Sequence, residues 1–242
     1  MKKSSSQRRL NIFIDETGEF GFSGKSAKFY GISLVIHEQN DSIEKEISNL
    51  EKKFEQLGFF GTFHMGDLLY SHGEFKNIDA TTRKRIFFAM YDFARKIKVK
   101  YYSAIFEKTF SNNPDTLKKK IYMTLTDLVN NHFDYFSSFD DVIVYYDSGQ
   151  SKLASVIDDV FSILNGYRRK VRFDHYEKKL FQVADLMTFL DKLMLKYDSR
   201  TKYTDTEARF FNIYNIRSFK KSLKNSRFEK SNKIRKAPFR VL

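Results

Sequence analysis

The chain has no cysteine among its 242 residues. Disulfides and thiolate metal sites are therefore excluded, and any metal must be held by oxygen or imidazole ligands. Long apolar runs are also missing. The basic N-terminus, Met1 to Arg9, carries no apolar segment ahead of the first predicted strand, so no secretory signal is expected. The most apolar helical stretch, Leu180 to Leu195, is interrupted by Asp185, Asp191 and Lys192, too short and too charged to span a bilayer. A cytoplasmic location is the expectation. With two prolines in all, there is no Pro-rich linker, and no internal repeat divides the chain.

What is present suits a packed α/β protein. A hydrophobic share of 41% and an aromatic share of 17% support a substantial core. The net charge of +13 is unevenly spread. From Arg217 to Leu242 ten Lys/Arg face one acid, Glu229, which places +9 in the tail and leaves +4 for the other 216 residues. Such a tail favours a polyanionic partner, nucleic acid ahead of anionic membrane, with a solubilising tail as the plain alternative.

Apolar runs predict strands at residues 10–15, 29–36, 99–106 and 142–146, with a short one at 170–173. Helical spacing predicts helices at about 43–57, from 82 to 97, from 114 to 133, from about 151 to 164, and at 180–197. Asp41 and Glu44 offer a capping box for the first, and Ser148 or Ser151 a cap for the fourth. Residues 58–79 read as a glycine-punctuated loop. Strands alternating with helices imply an α/β sheet covered on both faces.

The informative feature is a set of dispersed acids. Asp15 closes the first strand, and Asp147 follows the strand ending at Tyr146. If those strands are parallel neighbours, the two carboxylates sit side by side, and an ionised pair invites a cation such as Mg²⁺ or Mn²⁺. Strand-end aspartates also serve simply as turn residues. Asp185 lies opposite the apolar stripe of its helix, with Gln182 and Lys192, so periodicity favours a solvated acid there. His64 and Asp67 share a loop, and their spacing lets both face one ligand if a helical turn begins there. Glu16 points away from Asp15 unless the strand has already ended.

Four motifs then bear on identity. Ile12-Phe13-Ile14-Asp15-Glu16-Thr17-Gly18, His64-x-x-Asp67-Leu68, Tyr146-Asp147-x-x-Gln150 and Gln182-Val183-Ala184-Asp185-Leu186 resemble a bacterial and phage-borne family catalogued as domain of unknown function three-eight-zero-zero. The resemblance covers about residues 10–197, with Thr17 where that family has serine. It implies a ribonuclease H-like mixed sheet flanked by helices, with a helical insertion. The chain then divides into a basic tail (1–9), the ribonuclease H-like domain (10–200) and a basic C-terminal extension (201–242).

By that resemblance Asp15, Asp147 and Asp185 are the catalytic metal ligands of a nuclease acting on RNA or DNA with Mg²⁺ or Mn²⁺. His64 joins them as a catalytic residue, and Glu16, Asp67 and Gln182 support the site. A fourth acid has no clear match; Asp67 or Glu16 would supply it. The alternative is an inactive nucleic-acid-binding or defence-complex subunit of the same fold. Lys220, Lys221, Lys224, Arg227, Lys233, Arg235 and Lys236 are the expected phosphate contacts, with Phe219, Phe228 and Phe239 stacking on single-stranded bases. A third possibility is a protein partner for the extension. The sequence leaves the oligomeric state open.

Overall fold

The computed structural model describes residues 7–18, 20, 28–108, 113–147, 149–211, 213–222 and 226–228. Five strands form one mixed, open sheet in the order β3-β2-β1-β4-β5. They are β1 (Arg9–Thr17), β2 (Phe29–Glu38), β3 (Lys100–Glu107), β4 (Asp141–Tyr145) and β5 (Arg168–Lys170). β2 runs antiparallel to both β1 and β3, whereas β1, β4 and β5 are parallel. β1 is central and apolar on both faces, as a strand covered on both sides must be.

Strand alternation assigns those faces. Phe13, Val35, Ile143 and Tyr145 enter one core, with residues of α1 (Glu44–Gln56), α2 (Met65–Tyr70), α3 (Ala80–Lys96) and the later helix α7 (His175–Asp198). Leu10, Ile12, Ile14 and Tyr146 enter the other, against α4 (Pro114–Asn131), α5 (Phe133–Ser137) and α6 (Ser151–Phe161). Helices α1 to α3 lie between β2 and β3 in the chain, although those strands are neighbours in the sheet.

Several local expectations change. Asp41 does not cap α1: Ile43 occupies that position without a side-chain bond. Its backbone oxygen instead lies 2.7 Å from His37 Nε2, and its carboxylate pairs with Lys98 at 3.3 Å. Ser151 is the first residue of α6 rather than its cap, and Ser148 lies outside the described residues. The 58–79 loop contains α2 and a 3₁₀ turn, Gly73–Phe75. α7 begins earlier than predicted because Asp174 and Glu177 close a reciprocal capping box, each bond 2.8 Å long.

Beyond residue 200 the irregular apolar pattern conceals two helices. α8 (Asp205–Phe210) starts on a second capping box, Thr204 with Glu207. α9 (Ile213–Ser222) follows, and Phe210, Phe211, Ile216 and Phe219 are buried in the α7-side core. Glu207, 2% exposed, binds Lys196 at 2.6 and 2.8 Å. Residues 226–228 lie along β3, where Phe228 N donates to Tyr101 O at 2.8 Å.

Candidate functional site

Asp15 and Glu16 are both still within β1, opposite Ser33 and Ile32 of β2. They therefore face opposite sides of the sheet. Asp15 shares the face of Phe13, toward α7; Glu16 shares that of Ile14 and Tyr146. β1 and β4 are parallel and pair up to Phe13 and Tyr145. Asp15 and Asp147 each lie two residues beyond that last pair, at the carboxyl ends of adjacent strands. This is also where the sheet switches direction, since β2 on the other side of β1 is antiparallel.

α7 brings the third acid. It packs across β1, β2 and β3, and its register is held by a polar clamp in an otherwise apolar interface. Ser33 Oγ donates to the Ala184 carbonyl at 2.6 Å, and the Thr188 hydroxyl lies 2.5 Å from Ser33 Oγ and 2.9 Å from the same carbonyl. Gly31, beside the clamp, could take a side chain only if its neighbours shifted. A Cβ there would sit 2.7 Å from Ile105 Cδ1 and 2.9 Å from Thr188 Cγ2. This clamp fixes Asp185, next to Ala184, over the end of β1.

Asp185 is 8% exposed, which overturns the solvated reading drawn from periodicity. A single apolar stripe cannot identify the outward face here, because α7 is buried on nearly every side: between Lys179 and Met194 only Phe181 and Lys192 escape full burial. The Asp185 carboxylate accepts a 2.6 Å bond from Met65 N, the first amide of α2. That links two of the motifs, because His64 caps α2 by accepting from Asp67 N at 3.3 Å through Nδ1. His64 and Asp67 line an open groove of about 480 Å³ with Thr62, Gly73 and Glu74.

The electrostatics are those of acids gathered without enough compensating charge. Burial first, then Asp185, Glu16 and Asp147, hold the Asp15 carboxyl well above the usual carboxylate range. Burial also raises Asp185, opposed by His64, the Met65 amide and Lys192. Glu16 is pushed up to about 7, by burial and to a lesser degree by Asp147. Tyr146 OH opposes that rise by donating to Glu16 Oε1 at 3.0 Å, while Gln150 N holds the phenol oxygen at 2.9 Å. Glu16 Oε2 and the Gln182 Oε1 beside Asp185 are buried without a hydrogen-bond partner. Asp147 is exposed and accepts from Gly149 N at 3.0 Å.

Asp185, Glu16 and Asp147 thus all bear on Asp15, and His64 and Asp67 bear on Asp185. Their fit to a hard cation is one of chemistry: carboxylate oxygens, one of them orphaned and buried, raising each other's proton affinity for want of a positive charge. Among the described residues, no three His, Asp or Glu side chains are disposed to hold a single ion.

The expected phosphate contacts fare differently. Arg227 forms a doubly bonded ion pair with Asp191, whose carboxylate is 1% exposed, and its guanidinium lies over the Tyr101 ring. It is a packing residue, and so is Phe219, 4% exposed among Phe87, Tyr91 and Phe211. Phe228 packs on Tyr135 and Phe136. Phe219 is thus buried, while Arg227 and Phe228 are half-buried with their main contacts inside the fold. Lys221 is exposed; the side chain of Lys220, and Lys224, Lys233, Arg235, Lys236 and Phe239, lie outside the described residues.

Sequence reasoning gave no role to three residues of this site. Ser33 and Thr188 form the clamp, and Lys192 Nζ lies 3.5 Å from Thr17 Oγ1, its ammonium pushed toward the neutral form by burial. Among the described residues, no helix is long and apolar enough to cross a membrane. No protein-family model matches the chain, and no curated protein matches its sequence.

Proposed function

We propose that this chain is a divalent-metal-dependent nuclease of ribonuclease H-like architecture that hydrolyses phosphodiester bonds of RNA or DNA. One observation carries the reading. The Asp15 carboxyl is half-buried at the end of the central strand, three acids from other positions raise its proton affinity, and no cation of the described residues pairs with it. Desolvated carboxylates crowded in this way lower their energy by sharing a cation. An acid on the first strand, another after the parallel strand beside it and a third on the long helix that closes the fold is the disposition the family resemblance implies.

Asp15, Asp147 and Asp185 would hold Mg²⁺ or Mn²⁺ in pairs rather than as three ligands of one ion, with Glu16 on the opposite face of β1. A bound divalent ion supplies Lewis acidity and lowers the pKa of a bound water. The chain's own contribution is to position and to move protons. Met65 N and the Ser33–Thr188 clamp orient Asp185. His64 lines the groove with Nδ1 engaged by the Asp67 amide, so Nε2 would be the atom that exchanges a proton with the attacking or departing oxygen.

The test is cleavage of single- and double-stranded RNA and DNA with Mg²⁺, with Mn²⁺ and with chelator. Asp15→Asn removes the central charge at nearly constant shape, and activity is expected to fall at least a hundredfold. Cleavage that survives this substitution unchanged would remove the proposal. A second reading, a binding subunit without turnover, draws on the lack of a three-ligand group among the described residues. It predicts affinity for nucleic acid with no metal-dependent cleavage.

A further inference from the structure

Lys192 is the one cation that the fold sets beside these acids without an ion-pair partner among the described residues. It stands two turns beyond Asp185 on α7, on the same stripe as Gln182, Asp185 and Phe189. Its Nζ lies 3.5 Å from Thr17 Oγ1, two residues past Asp15, and 5.0 Å from the Phe189 ring centroid. The other acid that bears on it, Glu207, is already bound by Lys196 at 2.6 and 2.8 Å. An ammonium carries three donors. Here one long hydrogen bond engages a single donor, and the surrounding protein excludes much of the water that would satisfy the others.

We propose that Lys192, together with the Thr17 hydroxyl, contacts a phosphate of the bound nucleic-acid strand and sets that phosphate against the Asp15–Asp185 carboxylates. The chemistry is specific to an anion with several acceptor oxygens. A phosphodiester offers one oxygen to the ammonium and another to a threonine hydroxyl, while a neutral ligand would leave Lys192 uncompensated. Placement is equally telling. Thr17 ends β1 and Lys192 leaves α7 at the same end of the sheet, so the strand carrying Asp15 and the helix carrying Asp185 each contribute one acid and one anion contact. The substrate's backbone would then be fixed by the two elements whose acids act on it. Lys192 is a substrate-binding residue in this account, and its assignment rests on the nucleic-acid reading above.

Binding of fluorescein-labelled DNA and RNA oligonucleotides, single- and double-stranded, is measured by anisotropy across a salt series in the Asp15→Asn chain with Mg²⁺. Lys192→Met, which keeps an apolar side chain of similar length, is expected to weaken binding at least about tenfold. The slope of log affinity against log salt should fall by about 0.7–0.9, the release of one phosphate contact. Lys192→Arg should restore most of the slope. Thermal unfolding of each variant identifies any loss that comes from folding alone, which would lower the active fraction without changing the slope. An unchanged slope in folded Lys192→Met overturns the proposal, and so does an Asp15→Asn chain with Lys192 intact that binds none of the four probes. Cleavage by wild type is scored separately. Lys192-dependent slope without cleavage leaves this contact standing and removes the nuclease; metal-dependent cleavage with an unchanged slope does the reverse.

Discussion

Glu16→Gln offers a quantitative test of the crowded acids, and it needs no substrate. Glu16 lies within β1, faces the α4–α6 core, accepts from Tyr146 OH and has one oxygen buried without a partner. Moving its carboxyl from 4.5 to about 7 means that its ionised form costs the folded chain about 3 kcal/mol. The sign follows from linkage. The folded state holds the proton more tightly than the unfolded state, so stability is fully present below pH 4.5 and is lost as pH rises toward about 7. Glutamine keeps the shape and an acceptor for Tyr146 but cannot ionise. In chelator-treated protein, the difference in urea unfolding free energy, Glu16→Gln minus wild type, should grow by about 3 kcal/mol between pH 4.5 and pH 8 in favour of the variant. Titrating groups that do not interact with Glu16 cancel in that difference, and relief of Asp15, whose carboxyl Glu16 also holds up, adds to it in the same direction. Magnesium should then stabilise wild type more at pH 8 than at pH 5, since binding competes with the proton. A variant difference that does not change with pH would refute the idea that Glu16 is held in a costly ionised state.

Two further substitutions probe the frame around the site. Arg227→Met strands the Asp191 carboxylate, 1% exposed, and should cost about 3 kcal/mol in urea unfolding, with much of it recovered in the Arg227→Met/Asp191→Asn double variant. Loss of nucleic-acid affinity at unchanged stability would instead return Arg227 to the ligand surface. Gly18→Ala should cost about 2 kcal/mol, because Gly18 sits at φ +97° and an added Cβ would lie 2.7 Å from the Phe29 carbonyl oxygen. That cost, read from the urea midpoint, would explain why glycine follows the Asp15-Glu16-Thr17 run; a neutral substitution would show that the turn relaxes easily.

The sheet was largely readable from the chain because β1, β2 and β4 are short apolar runs and most of the helices covering them show regular apolar spacing. α4 is a good case: Asn113 and Pro114 mark its start, and Asn113 Oδ1 accepts from Thr116 N at 2.8 Å. Periodicity failed where an element is buried all round. In α7 the amphipathic signal is weak because β1–β3 and the helices around it leave little outward face, so Asp185 looked solvated though it is buried. Charge counting is blind in a related way. It added Arg227 to a ligand surface, although its partner Asp191 lies on α7 and only the fold brings the two together. The Ser33–Thr188 clamp is just as remote in sequence, and nothing local to either residue announces it.

Asp15 and Glu16 show why a motif is not yet a site. Ending the first strand at Asp15 left the two acids free to serve one centre side by side. The strand in fact continues to Thr17, and one residue of alternation separates them across the sheet. Glu16 then belongs with Tyr146 and Gln150, on the side of the β4–α6 turn, while Asp15 belongs with Asp185 and the α2 amide end. Each partnership joins residues far apart in the chain. Asp147, beyond the end of β4, bears on both acids, and Glu16 also bears directly on Asp15 although it faces the other side of β1. Proximity in sequence therefore supplied the turn and the strand end, whereas the Asp15 carboxyl is held up by burial first and then by Asp185 of α7, a helix that the first motif does not mention.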